Sequence, residues 1–410
     1  MSKENEEKLN VTVRSNTKDL FAFTKLVPNR KKRIERASSE PIREDTINDL
    51  AWKLHPERQF LIIDEIKEET KSTKTFKLVP DPNSVTKELA YFRPGQYVSL
   101  KVDLKGVRIT RPISIASSPK DALKGFYELT IRKEENGFLT HFIWNNWKVG
   151  TKIESSGPEG FFYFERLRDL TQIVGVAGGS GITPFRSMAK AIIDGTIGAK
   201  LTLLYGSSEE DDIIFYNEFK EMEKNNPTKI KIVHVLSCDV ITLEGCEKGF
   251  ITKEIIEKYC DVNSSTFFIC GPQLMYNFVE EELKKFNLPV KQIRREAFGE
   301  VKDILSHPDF PKEVAEKIFK VKVHIGDLTK EIPAIATESV LIALERANLN
   351  PPSKCRSGEC GFCRSLLIDG KVYINPVSDW RKGADKKFNY FHPCASYPIT
   401  DLEINIPRDI

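Results

Sequence analysis

Short apolar runs separated by polar turns begin at Gln59: QFLIID (59–64), KTFKLV (74–79), QYVSLKV (96–102) and YELTIRK (127–133). Runs of this length, broken by Pro, Gly and charged residues, predict closely spaced strands of an antiparallel barrel or sandwich. From Thr171 the pattern changes. TQIVGVA, KLTLLYG, KIKIVHVLS and STFFICG read as strands, and PFRSMAKAIIDG, NEFKEMEKNN and QLMYNFVEEELKKF as helices set among them. Strands alternating with helices predict a parallel sheet flanked by helices. A last block opens with KVKVHIGDLTKEI, a hairpin turning at Gly326-Asp327. The helical run that follows, ESVLIALERAN, puts Val340, Leu341, Leu344 and Ala347 on one face. The pattern divides the chain into an N-terminal extension (1–56), a β block (57–167), an α/β block (168–297), a charged, Pro-containing linker (298–318) and a C-terminal block (319–410).

The extension differs in kind. NRKKRIER is a basic run and ASSEPIRED is polar and turn-like, which reads as a solvated arm or surface helices, or as a docking element for a partner. The whole chain carries 62 Lys and Arg against 59 Asp and Glu, a net +3. That balance points to neither nucleic acid nor an anionic membrane as a bulk partner. No apolar run approaches the ~20 residues of a spanning helix. MSKENEEKLN lacks an apolar signal core, so the expected compartment is the cytoplasm. There, clustered cysteines bind metal more often than they pair.

Three of the eight cysteines fall within KCRSGECGFCRS (354–365), and a fourth follows in FHPCASY. Cys355, Cys360, Cys363 and Cys394 read C-x4-C-x2-C-x30-C, the plant-type spacing for a [2Fe–2S] cluster. A loop must wrap the cluster so that thiolates reach two irons. Small residues at Ser357, Gly358 and Gly361 let backbone amides approach the sulfurs. Structural zinc is the competing reading, but zinc prefers two C-x2-4-C knuckles and only one pair is present. His392, two residues before Cys394, suggests a Rieske site only if four cysteines did not already complete one. It reads as a surface or packing residue. Cys238, Cys246 and Cys260 read as incidental or buried thiols.

Two further motifs carry chemistry. RPISIASSP (111–119) supplies the guanidinium fork of Arg111 and the hydroxyl of Ser114, with NGFLTHFI bringing Gly137 and Thr140 soon after. VAGGSGITPF (176–185) joins a strand to a helix through Gly178, Gly179 and Gly181, with Thr183 as N-cap and Pro184 at the first helical position. The free amides of such a helix start suit a pyrophosphate.

With CGPQLMY (270–276), these motifs resemble the ferredoxin–NADP reductase superfamily, followed by a plant-type ferredoxin domain. The likeness covers about residues 57–410, in the order found in phthalate dioxygenase reductase-type proteins. It implies a flavin-binding antiparallel β-barrel, a parallel α/β nicotinamide-binding domain and a β-grasp ferredoxin domain. It implies Arg111 on the flavin phosphate, with Pro112, Ile113 and Ser114 beside it, although Ile113 stands where the family often has an aromatic. Gly137 and Thr140 would hold the FAD pyrophosphate, with FMN as the alternative. Gly178, Gly179, Gly181 and Thr183, with Gly271 and Pro272, would hold the nicotinamide dinucleotide. Cys270 would lie on the hydride path, and Phe298 would cover the flavin or shape the nicotinamide site.

After KLTLLYG comes SSEEDD (207–212), with no Arg for a 2′-phosphate and with acids able to accept from a ribose hydroxyl. The expected donor is therefore NADH. The resemblance implies hydride delivery from NADH to flavin, single electrons through the cluster, and a separate electron-accepting protein such as an oxygenase or an activated enzyme. The alternatives are a reductase of small acceptors and a redox-sensing module with little turnover.

Overall fold

The computed structural model describes residues 17–37, 46–104, 106–134, 137–296, 299–301, 303–376 and 379–407. The chain divides into two compact units, Met1–Leu50 and Ala51–Ile410. The first unit contains the helix Thr17–Glu35, with Pro28 inside it. The basic run from Arg30 to Arg36 lies on this helix and its exposed end. A second helix, Thr46–Leu54, crosses the boundary between the units.

In the second unit, six strands form an antiparallel sheet: β1 (Gln59–Thr70), β2 (Thr73–Pro80), β3 (Tyr97–Leu104), β4 (Val107–Ser114), β5 (Tyr127–Arg132) and β6 (Lys152–Ser155). Their order is β4-β3-β6-β1-β2-β5. Alternation sets the core face: on β1, Leu61 and Ile63 are buried while Phe60 and Ile62 are half-buried. Leu61 and Ile63 pack with Phe76, Leu78, Val98, Leu100 and Tyr127 into one apolar cluster.

A parallel sheet follows, built from β7 (Gln172–Gly178), β8 (Lys200–Ser207), β9 (Ile230–Leu236), β10 (Glu247–Lys248), β11 (Ser265–Cys270) and β12 (Ile293–Glu296). Its order, β10-β9-β8-β7-β11-β12, reverses direction between β7 and β11. In such sheets the crevice at the C-terminal ends of the two strands flanking the reversal is where ligands bind. β11 is buried along its whole length, as expected of a strand covered on both faces.

The C-terminal sheet contains β13 (Ile318–Ile325), β14 (Leu328–Ile335), β15 (Ser365–Asp369), β17 (Tyr390–Phe391) and β19 (Leu402–Asn405), in the order β14-β13-β19-β15-β17. A small side sheet pairs β16 (Val372–Ile374) with β18 (Ser396–Pro398). The Gly326-Asp327 hairpin forms as expected, with Ile325 opposite Leu328 and Gly326 at φ 57°. The helix Val340–Arg346, capped by Ser339, packs Val340 and Leu344 on the sheet. Residues 303–317 lie within the stretch read as a linker. They form two short 3-10 turns, and Ile304, Phe310 and Val314 bury into their own cluster with Ala336 and Tyr397. Phe310 meets the Tyr373 and Tyr397 rings edge to face.

Candidate flavin, nicotinamide and cluster site

Arg111, Pro112, Ile113 and Ser114 form the last residues of β4. Arg111 donates to the Thr110 carbonyl at 2.9 Å, and no carboxylate lies within salt-bridge distance among the described residues. Burial and the neighbouring Arg356 charge pull its guanidinium down to about 10. A cation placed this way suits an incoming phosphate. Gly137 is the N-cap of the helix Phe138–Asn146 and has no side chain to close it. Thr140 Oγ1 donates to the Gly137 carbonyl and accepts from the Glu134 amide, both at 3.1 Å. A Cβ at Gly137 would stand 2.3 Å from Thr140 Oγ1, so the tight turn needs glycine. The open helix start and the Arg111 fork are the features a flavin phosphate chain requires.

The nicotinamide motifs converge at the reversal point of the parallel sheet. Ala177 at the end of β7 lies opposite Cys270 at the end of β11. A Cβ on Gly181 would sit 2.1 Å from the Cys270 carbonyl, and one on Gly271 would sit 3.1 Å from the Gly178 amide. The two Gly-rich turns therefore pack backbone against backbone, and this close approach is the physical reason for those glycines. Gly179 sits at φ 51°. Pro272 caps the helix Gln273–Lys284. Cys270 is buried and its thiol is pushed well up by burial, then by Glu296, so it stays protonated. Thr183 departs from the expectation. It is the first residue of the helix Thr183–Ile193, not its N-cap, because a 3-10 turn over Gly179–Ile182 runs straight into the helix. Its hydroxyl donates back to the Ser180 carbonyl at 3.0 Å.

The acids after β8 are also placed differently. Glu210 accepts from the Thr242 hydroxyl and the Thr242 and Leu243 amides, which pins the 239–246 loop. Lys71 reaches Asp211 at 2.8 Å. Asp212 accepts from Ser72 and Arg132, joining the antiparallel and parallel sheets. Glu210 is thus an anchor, and it is not free to serve a ribose.

Three residues were not singled out by motif. Arg132, the last residue of β5, lies over the Gly-rich turn: its Nη1 would be 3.0 Å from a Cβ on Gly179. Glu296 ends β12 fully enclosed, with Oε2 lacking a hydrogen-bond partner among the described residues. Burial, then Glu359, raises its carboxyl well above the usual range. Arg356, inside the cysteine loop, is 1% exposed. YELTIRK and KCRSGECGFCRS contain Arg132 and Arg356, but nothing in either motif marks them. Phe298 lies outside the described residues.

The loop over 355–363 turns through left-handed residues, Arg356 at φ 58°, Gly358 at 83° and Gly361 at 68°. It brings the Cys360 amide 3.4 Å from Cys355 Sγ and the Phe362 amide 3.4 Å from Cys360 Sγ. Cys363 Sγ and Cys394 Sγ are 3.4 Å apart. Cys355 also bonds with Cys394, and its thiol is pulled down by hydrogen bonds from Cys360 and Cys394, which are themselves pushed up. The described residues do not arrange three such side chains around a single point, as one bare ion needs. Four thiols, two of them accepting from loop amides and two in contact, are the donor set a sulfide-bridged cluster uses. His392 is buried, not at the surface, and its ring braces the loop through the Gly358 carbonyl at 2.6 Å.

The cluster loop and the flavin strand meet. Arg356 is held by Glu345 at 2.9 Å and Glu300 at 2.5 Å, and reaches the Thr110 carbonyl at 3.4 Å. Lys354, on the other side of Cys355, pairs with Glu159. Among the described residues no helix is long and apolar enough to cross a membrane.

Comparison with known proteins gives three matches in chain order: an oxidoreductase FAD-binding domain over residues 61–164, an oxidoreductase NAD-binding domain over 176–281 and a 2Fe-2S iron-sulfur cluster binding domain over 323–398. The 3-ketosteroid-9-alpha-monooxygenase ferredoxin reductase component of Rhodococcus rhodochrous is 26% identical over 83% of this chain and 94% of its own length. The glycine betaine monooxygenase reductase subunit of Chromohalobacter salexigens is 23% identical over 83% and 93%. The solved structure of phthalate dioxygenase reductase superposes with a TM-score of 0.60 at 20% identity, over 86% of this chain and 98% of that one, and shares the fold.

Proposed function

We propose, for a chain that belongs to the ferredoxin–NADP reductase superfamily and carries a C-terminal [2Fe–2S] domain, an NADH-dependent reductase that delivers single electrons to a separate protein. When bound, FAD takes a hydride from NADH and a [2Fe–2S] cluster carries electrons onward singly. The chain's own residues bind, orient and insulate these groups.

Residues 57–167 are assigned to flavin. Arg111 and the helix start at Gly137 hold the phosphates, and Pro112, Ile113, Ser114 and Thr140 line the approach. Residues 168–297 are assigned to the dinucleotide. Gly178, Gly179, Gly181, Thr183, Gly271 and Pro272 form the turn that receives the pyrophosphate, with Arg132 as its cation. Cys270 stands at the nicotinamide end as a neutral thiol, and Phe298 is assigned to the same end. Residues 319–410 are assigned to the cluster, held by Cys355, Cys360, Cys363 and Cys394. The preference for NADH rests on the absence of Arg or Lys in Ser207–Asp212, since Glu210 is engaged elsewhere. Relatives are reductase components of oxygenases, so the acceptor is assigned to that class of protein. A cytoplasmic setting completes the reading.

The observation that carries it is the contact of Arg356 with the Thr110 carbonyl, next to Arg111. It sets the cluster loop beside the flavin strand, which a relay needs and a bare sensor does not. Cys360→Ser tests it. The variant is expected to lose the visible absorbance of the cluster, to keep bleaching of the flavin by NADH, and to reduce a protein acceptor at a small fraction of the wild-type rate. Full reduction of that acceptor by the variant would remove the cluster from the path.

A further inference from the structure

Resting on the reading that electrons leave through the cluster to a protein, we propose that the acceptor docks through an acidic surface onto a basic, aromatic face built around Arg364, the residue after Cys363.

One side of the cluster loop is already occupied: Lys354 and Arg356 are tied to Glu159, Glu300 and the Thr110 carbonyl. Lys354 also lies over the Phe362 ring at 4.1 Å, so Phe362 belongs to that same side. Cys360 is the exposed member of the four cysteines, and Phe362 beside it is 43% exposed. Next along the chain, Arg364 stacks on Tyr390 at 3.6 Å and pairs with Asp385 of the short helix Gly383–Lys387. These two contacts lock the segment DWRKGADKKFNY (379–390) against the loop that leaves Cys363.

That segment together with Arg364 holds five cations, Arg364, Arg381, Lys382, Lys386 and Lys387, against two carboxylates, Asp379 and Asp385. Both carboxylates are already engaged, Asp379 with Arg381 at 2.8 Å and Lys386 at 3.1 Å, and Asp385 with Arg364. Lys382 and Lys387 have no carboxylate within salt-bridge distance among the described residues. The imbalance is local, since the whole chain is nearly neutral at +3. Trp380 and Phe388 stand among these cations, 53% and 59% exposed. Exposed aromatics inside a charged rim are the composition of a protein interface core. Unpaired positive charge on the rim steers an acidic partner and sets the docking register.

The test uses the complete holoprotein with NADH and two forms of one haem acceptor, native cytochrome c, which is basic, and cytochrome c whose lysines have been succinylated to carboxylates. The wild type is expected to reduce the succinylated form faster, with kcat/KM falling roughly tenfold between about 0.01 and 0.15 M salt. Lys382→Glu combined with Lys387→Glu is expected to lose roughly tenfold on the succinylated form and to reverse its salt dependence, with reduction of the flavin by NADH and the cluster absorbance unchanged. Trp380→Ala is expected to lower kcat/KM without altering the salt slope. Equal rates and equal salt dependence for wild type and the double variant would overturn the proposal. So would cosedimentation of the wild type, but not the double variant, with phosphatidylserine vesicles at unaltered acceptor rates, since the face would then serve a membrane. If Cys360→Ser reduces the succinylated acceptor at the wild-type rate, the relay itself fails. If Cys360→Ser is slow but the lysine variant is normal, only the docking face fails.

Discussion

Asp169 shows what a single buried charge does for this molecule. Its side chain is fully enclosed and accepts from Arg168 at 2.9 Å and Arg294 at 2.7 Å, tying the loop before β7 to β12. Burial alone would raise its carboxyl, but the hydrogen bonds from Arg168, the Glu165 amide and Arg294 outweigh it and hold it below the usual value. A depressed folded pKa contributes stability above the unfolded value of about 3.9, and that contribution is lost as pH falls through the folded pKa. Asp169→Asn is expected to cost about 3 kcal/mol at pH 7, measured by denaturant unfolding, with the difference from wild type shrinking below about pH 4. Gly181→Ala tests a different constraint. Its methyl group would meet the Cys270 carbonyl 2.1 Å away, so the two Gly-rich turns must part. The expected result is a loss of about 1–3 kcal/mol and weakened NADH binding in an anaerobic titration, with flavin content retained.

At the scale of elements, local pattern placed strands and turns and left their distant supports unread. The strands, the Gly326-Asp327 hairpin and the two Gly-rich turns stand where periodicity and turn residues put them, because period and turn chemistry are local. The 3-10 entry that displaces Thr183 from the cap arises because Gly179–Ile182 is already helical in sense when the chain reaches Thr183. Residues 298–318 read as a linker, and within it Phe310 packs against Tyr373 and Tyr397, more than sixty residues away in sequence. Phe310→Ala is expected to cost about 3–5 kcal/mol and to open this segment to limited proteolysis.

For the whole molecule, the deciding contact is the buried Arg356 with Glu300 and Glu345, which ties together the cluster loop, the segment after β12 and the helix Val340–Arg346, and touches β4. Arg356→Met would leave two carboxylates buried without their cation. It is expected to cost about 3–5 kcal/mol in the thermal or denaturant transition and to raise amide exchange in residues 354–364. Arg356→Lys keeps the charge without the fork and is expected to recover only part of that loss. The two compact units carry a separate expectation. A chain lacking residues 1–45 is expected to keep its flavin and cluster absorbance and the thermal midpoint of the wild type.

The order of three sheets, the four cysteines and the glycine turns were set by the sequence alone, because ligand spacing, strand period and turn chemistry act over a few residues. Only the tertiary structure decided that Arg356 is a latch, that Arg132 overhangs the Gly179 turn, that Glu210 is an anchor and that His392 is buried. Each of those roles is assigned by a partner far along the chain, and a charged residue's sequence neighbours do not say which distant group will neutralise it.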